Sequence, residues 1–384
     1  MEDAGTSAAI IPRVNFAFDL RPSLLRPTGV GSYVMALAHR MPAMAPEHQF
    51  YFFSASLRDR YPVRSWPANV HLSDRRLPVR ALNLAWNRLE APALDRLVGA
   101  PLDLIHSPHP LMIPGKKAKQ VITIHDLFFL KQPDMTDAEI RRDYVPLVRE
   151  HARRADGVIC VSEYTASEAR LLLEVPPDRI AVIPNGVDPA YRVPPPLEAI
   201  DAVLNRRRIP RGAILYIGTE EKRKNLVNLA MAYMGLARRR KSMPPLVLVG
   251  PGREWVHGGS IVGPQILATG YLETSEIRAL MATSSMLVLP SLEEGFGLPV
   301  AEAMAAGLPV VCSRGSALEE VAGGAATLVD PLNTKSIADG IERVLDDPAL
   351  AERQRRQGRQ QSLQFDWDTT SARTLDFYRR VLET

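Results

Sequence analysis

The sequence predicts an α/β protein made of two doubly wound domains. Three observations carry that expectation. A chain of 384 residues is longer than one ordinary core needs and suits two. Through its first half, short apolar runs alternate with amphipathic stretches, the pattern of strands joined by crossover helices around a parallel sheet. Residues 184–196, PNGVDPAYRVPPP, then place five prolines in a run with no hydrophobic period, and the alternation restarts beyond it.

In the first half, strands are expected at 14–19 (VNFAFD), 49–54 (QFYFFS), 102–106, 121–125 and 157–162, with helices at 30–40, 82–97, 137–154 and 163–173. The proline run cannot continue a helix or an interior strand, so it marks the linker. Beyond it, strands are expected at 213–218 (AILYIG), 246–250 (LVLVG), 286–290 (MLVLP) and 309–312, with helices near 225–239, 275–282, 299–306 and 336–345. Residues 366–384 read as a terminal helix. The expected domains are 1–190 and 197–365, with 366–384 returning to pack on the first. In open α/β sheets ligands bind outside the carboxyl ends of strands, so two such domains face to face would place the site in the crevice between them.

Composition narrows the function classes. Hydrophobic residues make up 46% and charged residues 23%, as in a soluble globular protein. Cys160 and Cys312 sit singly in apolar runs (GVICVS and LPVVCS) and read as buried thiols, not as a disulfide framework or a zinc site. No apolar run approaches the roughly 20 residues that span a bilayer, and the first residues lack a basic n-region. A cytoplasmic protein is expected. The net charge is only +4. The basic clusters at 206–208, 238–241 and 353–359 read as solvated helix faces, and no aromatic–basic interleaving accompanies them, so nucleic acid is not an expected partner. A weak peripheral contact with anionic headgroups at the inner membrane face is compatible with them.

The strongest chemical signal is the run 291–311, SLEEGFGLPVAEAMAAGLPVV. It passes from a strand through a glycine turn into a helix with Pro299 in its first turn, where a missing N–H costs nothing. The free N–H groups of such a helix start suit a phosphate. Glu302 is the one charged residue between positions 298 and 311. A carboxylate in that setting needs a partner, such as a ligand hydroxyl or a backbone donor.

Glu294 and Glu302 form an E-x7-E pair inside EGFGLPVAEAMAAGLPVV. This closely resembles the signature of the retaining glycosyltransferases of family 4, which have the GT-B fold of two facing Rossmann-like domains with an interdomain cleft. The resemblance implies that Glu302 binds the donor ribose and that Glu294 contacts the transferred sugar. It also implies that Gly295, Phe296, Gly297 and Leu298 face the donor.

Other segments extend the resemblance over most of the chain. TGVGSYV (28–34) opens a helix after the first strand, and Gly29 and Gly31 would let backbone approach a phosphate. VITIHDLFFL (121–130) resembles the family's IHD segment, in which the histidine, here His125, reaches the donor sugar. Asp126 is expected to orient or cap. GTEEKRKN (218–225) matches the region where the family supplies a lysine and an arginine to the pyrophosphate. Lys224 matches the lysine. Thr219 stands where the family's arginine commonly does, and Arg223 is the candidate substitute. LVGPG (248–252) and TGYLETSEI (269–277) complete the second domain, and Tyr271 and Leu272 are candidates for the nucleobase contact. Ser162 reads as a helix N-cap, and Asn185 and Gly186 as a turn.

The function implied is transfer of a hexose from a nucleotide-diphosphate sugar to a hydroxyl of a saccharide or lipid-linked acceptor. GDP-mannose is the first-guess donor, on the likeness of the RKN ending to mannose-using subfamilies. With Glu302 assigned to the ribose, front-face substitution is expected, with His125, Glu294, Lys224 and Arg223 as the catalytic set. The carboxylates are not grouped for a metal, and no cofactor is implied beyond the donor. The acceptor would be read by loops near 58–82 and 131–143. The alternatives are a nucleotide-binding scaffold without catalysis, which the Thr219 departure favours, and a nucleotide-sugar epimerase.

Overall fold

In the computed structural model, residues 13–24, 29–61, 65–135, 144–250 and 265–384 are described. Thr28, residues 251–252, part of the expected helix at 137–154 and parts of both expected acceptor loops lie outside them.

Two parallel sheets organise the chain. The first contains β1 (Asn15–Asp19), β2 (Gln49–Ala55), β3 (Val70–Arg75), β4 (Leu104–Ser107), β5 (Lys119–Ile124), β6 (Gly157–Cys160) and β7 (Ile180–Val182), in the order β3-β2-β1-β4-β5-β6-β7. The second contains β8 (Ile214–Ile217), β9 (Leu246–Val249), β10 (Ile266–Gly270), β11 (Met286–Leu289), β12 (Val310–Ser313) and β13 (Thr327–Val329), in the order β10-β9-β8-β11-β12-β13. Most interior strands are buried on both faces. β9 reads LVLV and β11 MLVL, every residue buried, which is why they appear in the sequence as continuous apolar runs.

By contact density the chain forms two compact units. One comprises Met1–Thr123, Leu147–Val158 and Ser371–Thr384, the other Ile124–Pro146 and Ile159–Thr370. In the first, the terminal helix Trp367–Glu383 contributes Phe377 and Val381, whose side chains would meet a Cβ at Gly157 within 2.9 Å. Its Tyr378 hydroxyl lies 2.5 Å from Nδ1 of His106, whose Nε2 is 2.7 Å from Thr123 Oγ1. In the second, the proline run is packed rather than loose: Val187 pairs with Asp366, and Tyr191 of the 3-10 turn Pro189–Arg192 is buried in that unit's core.

Two differences from the expected elements have simple causes. The stretch 82–97 is not one helix. Helix Val79–Leu89 stops at Glu90 in the left-handed region (φ 47°), and helix Leu94–Val98 starts after Pro92, whose ring cannot continue a helix. The structure also adds β3, β7, β10, β13 and the helices Leu197–Arg207, Ala317–Ala322 and Pro348–Ser362. These strands lie toward the sheet edges, are partly exposed, and lack the unbroken apolar runs that reveal buried strands. Among the described residues no helix is long and apolar enough to cross a membrane.

Candidate functional site

In the second sheet the strand order reverses between β8 and β11, the switch point where doubly wound sheets open a crevice at their carboxyl ends. The two segments leaving those strands carry the expected donor-site charges. β8 runs into Gly218 and Thr219, then a 3-10 turn Lys222–Lys224, then helix Leu226–Arg239. β11 runs into Ser291–Gly297 and then helix Leu298–Ala306.

The two segments are locked together. Leu292 N–H donates to Arg223 O at 2.7 Å. Asn225, left-handed at φ 58°, donates from Nδ2 to Pro290 O at 2.8 Å and Pro331 O at 2.7 Å. The conformation of Asn225 turns the chain from the 3-10 turn into the helix, a role asparagine fills more readily than most residues.

This scaffold brings Arg223, Lys224 and Glu294 into one cluster. Lys224 Nζ lies 2.6 Å from Glu294 Oε1, and Arg223 Nη1 lies 3.0 Å from Oε2. Ser291 Oγ donates to Oε1 at 2.7 Å. Glu294 is buried. Burial alone would raise its carboxyl, but Lys224 and Arg223 outweigh that and hold it below the ordinary glutamate value. Arg223 also reaches Glu221 at 2.7 Å and sits 3.9 Å from Asp126. Asp126 is 29% exposed at its side chain. Desolvation raises its carboxyl despite Arg223, with Glu294 adding to the rise.

His125 and Asp126 follow β5, and Gly295 is the reason they sit here. A Cβ on Gly295 would lie 1.5 Å from the His125 carbonyl oxygen. Only a glycine lets the two backbones approach so closely. Thr165 Oγ1 donates to Gly295 O at 3.2 Å from the other side. Gly297, at φ +92°, turns the chain into the helix, and Phe296 is buried edge-on against Phe365 at 5.3 Å. The Phe296 side chain therefore packs into the core from within the glycine turn. Leu298 begins the helix and is partly buried.

Glu302 is held differently. It accepts a hydrogen bond from Tyr191, and among the described residues no cation pairs with it. Burial pushes its carboxyl up to about 8, with Tyr191 opposing the rise and Asp188 adding to it. The two glutamates of one motif are thus driven in opposite directions by their surroundings. Because the folded value lies above 4.5, the native protein keeps a proton that the unfolded chain releases. That contribution to stability is full below pH 4.5 and is lost as pH rises toward about 8. Glu302→Gln cannot lose the proton, so its melting temperature is expected to fall less than that of the wild type between about pH 5 and 8. Parallel melting curves across that range would remove the assignment.

The remaining expected residues fall as follows. Thr219 is exposed, and its hydroxyl donates to Glu221 at 2.8 Å. Tyr271 is exposed, whereas the Leu272 side chain is 1% exposed, so a ligand could reach Leu272 only through its backbone. Gly29 and Gly31 open helix Gly29–Met44 in the first unit, Gly29 exposed and Gly31 buried. Ser162 caps its helix by accepting from Thr165 N–H at 3.0 Å. Sequence reading did not single out Ser291, Glu221 or Tyr191. Tyr191 reaches Glu302 from a distant part of the chain, while Ser291 and Glu221 act on neighbours two or three residues away through turns that only the fold defines.

The chain is similar to known proteins along most of its length. Residues 27–191 fit the model described as Glycosyltransferase Family 4, and residues 206–361 fit Glycosyl transferases group 1. The chain is 30% identical over 371 residues to the O-antigen chain mannosyltransferase B of Escherichia coli, covering 92% of this chain and 96% of that one. Among solved structures, it resembles the sucrose-phosphate synthase of Thermosynechococcus elongatus with a TM-score of 0.77 at 20% identity, covering 97% and 100% of the two chains. It also resembles Anabaena HepE in complex with UDP-glucose, with a TM-score of 0.70 at 15% identity, covering 96% and 100%. The paired parallel sheets are thus those of the GT-B fold, and the chain belongs to the family 4, group 1 glycosyltransferases.

Proposed function

We propose that this glycosyltransferase moves a hexose, with mannose from GDP-mannose as the first choice, onto a hydroxyl of a saccharide or lipid-linked acceptor with retention of anomeric configuration. The observation that carries the reading is the convergence of Lys224, Arg223 and Glu294 at the switch point of the second sheet. Support for mannose comes from the Escherichia coli relative, a mannosyltransferase, and support for a nucleotide-sugar donor from HepE, whose solved complex holds UDP-glucose.

In this reading, the donor's pyrophosphate draws on Lys224 and Arg223, which are already charged and held in place. Pre-aimed cations stabilise a leaving diphosphate without reorganising as the bond breaks. Arg223 stands in for the arginine absent at Thr219. The glycine turn and the start of helix Leu298–Ala306 face the donor, Glu302 takes the ribose, and His125 and Glu294 hold the sugar. Gly29 and Gly31 approach the phosphates, and the backbone at Tyr271 and Leu272 meets the base. The acceptor hydroxyl attacks the anomeric carbon from the face the diphosphate leaves, passing its proton to a phosphate oxygen. The positive charge comes from side chains, so the reaction runs without a metal. Residues 1–190 would serve the acceptor and 197–365 the donor, with 366–384 packing back on the first. The protein would work in the cytoplasm.

A thermal-shift screen against GDP, UDP, dTDP and ADP, each with and without magnesium, tests the donor. A ligand confined to the folded state raises the melting temperature, by about 2.7 kcal/mol of added stability at a hundredfold excess over Kd. GDP is expected to give the largest shift, unchanged by magnesium and reduced in Glu302→Ala. A larger shift with another nucleotide would reassign the donor. Absence of any shift would bring forward a scaffold without a donor site.

A further inference from the structure

Away from the switch point, the second unit holds a cavity of about 100 Å³ between the segment Tyr191–Pro195 and the carboxyl end of helix Leu298–Ala306. Three arginines line it: Arg192, Arg278 and Arg359. They come from three separate stretches of chain, and none is ion-paired to a carboxylate among the described residues. Such a concentration of unneutralised positive charge is unfavourable without a counter-ion.

Each guanidinium is only partly used by the protein. Arg192 Nη2 donates to Ser362 O at 3.3 Å and Phe365 O at 3.2 Å, while Arg278 Nη2 donates to Val193 O at 3.0 Å. These bonds tether one end of each group. The Nε of Arg192 and the Nε of Arg278 are both buried and have no hydrogen-bond partner among the described residues. An unsatisfied buried donor costs about 1–3 kcal/mol, more when charged. Arg359 lies over Gly307, where a Cβ would come within 2.3 Å of its Nε, so the glycine gives that guanidinium room beside the cavity.

Asp188 and Glu302 act on the Tyr191 hydroxyl at the cavity's edge, where Arg278 opposes them.

We propose that this cavity is a second anion site, distinct from the donor site, that takes a single phosphate group, either the free ion or a phosphomonoester. Guanidinium groups match phosphate geometry through paired N–H donors, and a cavity of this size admits one phosphate but not a nucleotide. The proposal does not depend on the donor assignment, because its three arginines are not among the residues placed there.

The test is the melting temperature and calorimetric titration of the full chain with inorganic phosphate at low ionic strength. It uses wild type, Lys224→Ala, Arg359→Ala and Arg278→Gln. The expected result is a rise of about 2 °C or more in wild type and in Lys224→Ala, lost or at least halved in both Arg359→Ala and Arg278→Gln. Arg359 is exposed, so its removal leaves the fold intact, and a cooperative melt verifies this. A response abolished by Lys224→Ala and kept by the two arginine variants would assign the phosphate to the donor site and overturn the proposal. No response in wild type would overturn it as well. Glycerol 3-phosphate, titrated in parallel, separates the two sources: an equal or larger shift assigns a phosphomonoester, and a shift with phosphate alone assigns the free ion.

Discussion

Lys224→Ala is expected to lower kcat/KM for sugar transfer by roughly 10²–10³, the usual cost of removing one pre-aimed group that meets developing charge. The residue is 13% exposed at its side chain and bonds to Glu294 at 2.6 Å. Its loss has two consequences that must be separated. The leaving diphosphate loses a cation, and Glu294 is left buried with Arg223 and Ser291 as its remaining partners. Breaking a buried pair from one side costs about 3–5 kcal/mol of stability when nothing replaces the partner, and here Arg223 reduces that cost. Combining Lys224→Ala with Glu294→Gln removes the unpaired charge and should restore part of the melting temperature. It should not restore the rate. Two residues in direct contact do not add, so the double-mutant cycle measures their coupling. A single variant that keeps activity within about tenfold of wild type at saturating donor would show that Lys224 does not meet the transition state.

Gly295→Ala is expected to be as damaging, by a different route. The added methyl would sit 1.5 Å from the His125 carbonyl oxygen and 2.6 Å from its carbon. Both obstacles are backbone, so no rotamer change relieves them. Either the β5 exit or the glycine turn must move. Movement of the turn loosens the bond from Thr165 and shifts Glu294, its immediate neighbour, away from Lys224. Overpacking in a well-packed interior costs about 1–3 kcal/mol and occasionally more, and a backbone clash this close belongs at the upper end. The expected outcome is a melting temperature lower by several degrees and transfer activity reduced at least 10²-fold in the fraction that remains folded. Gly235, where an added Cβ meets nothing within 4 Å, provides the control: Gly235→Ala should leave both quantities near wild type. Full activity in Gly295→Ala would mean that His125 and the glycine turn need no fixed spacing.

How much was legible before folding depends on whether a residue's neighbours are local. The buried strands of both sheets announced themselves as apolar runs, because burial on two faces leaves no polar alternation. The helix that carries Glu302 was equally plain, with Gly297 and Pro299 at its start and Gly307 at its end. The edge strands and the break at Pro92 were not, since partly exposed strands are short and of mixed polarity.

For the site, the sequence by itself determined on which elements the candidate residues stand: His125 beyond β5, Lys224 beyond β8, Glu294 and Glu302 around one glycine turn. Those placements follow from strand ends and turn chemistry, which are properties of neighbouring residues. Only the tertiary structure decided the charge that the two glutamates carry. Glu294 stays ionised because Lys224 and Arg223 reach it across 70 and 71 positions of chain, and Glu302 holds its proton because burial finds it a tyrosine and, among the described residues, no cation. The gathering of Arg192, Arg278 and Arg359 around one cavity is of the same kind. Charge state and electrostatic partnership depend on distance in space and on local desolvation, and neither is a function of separation along the chain.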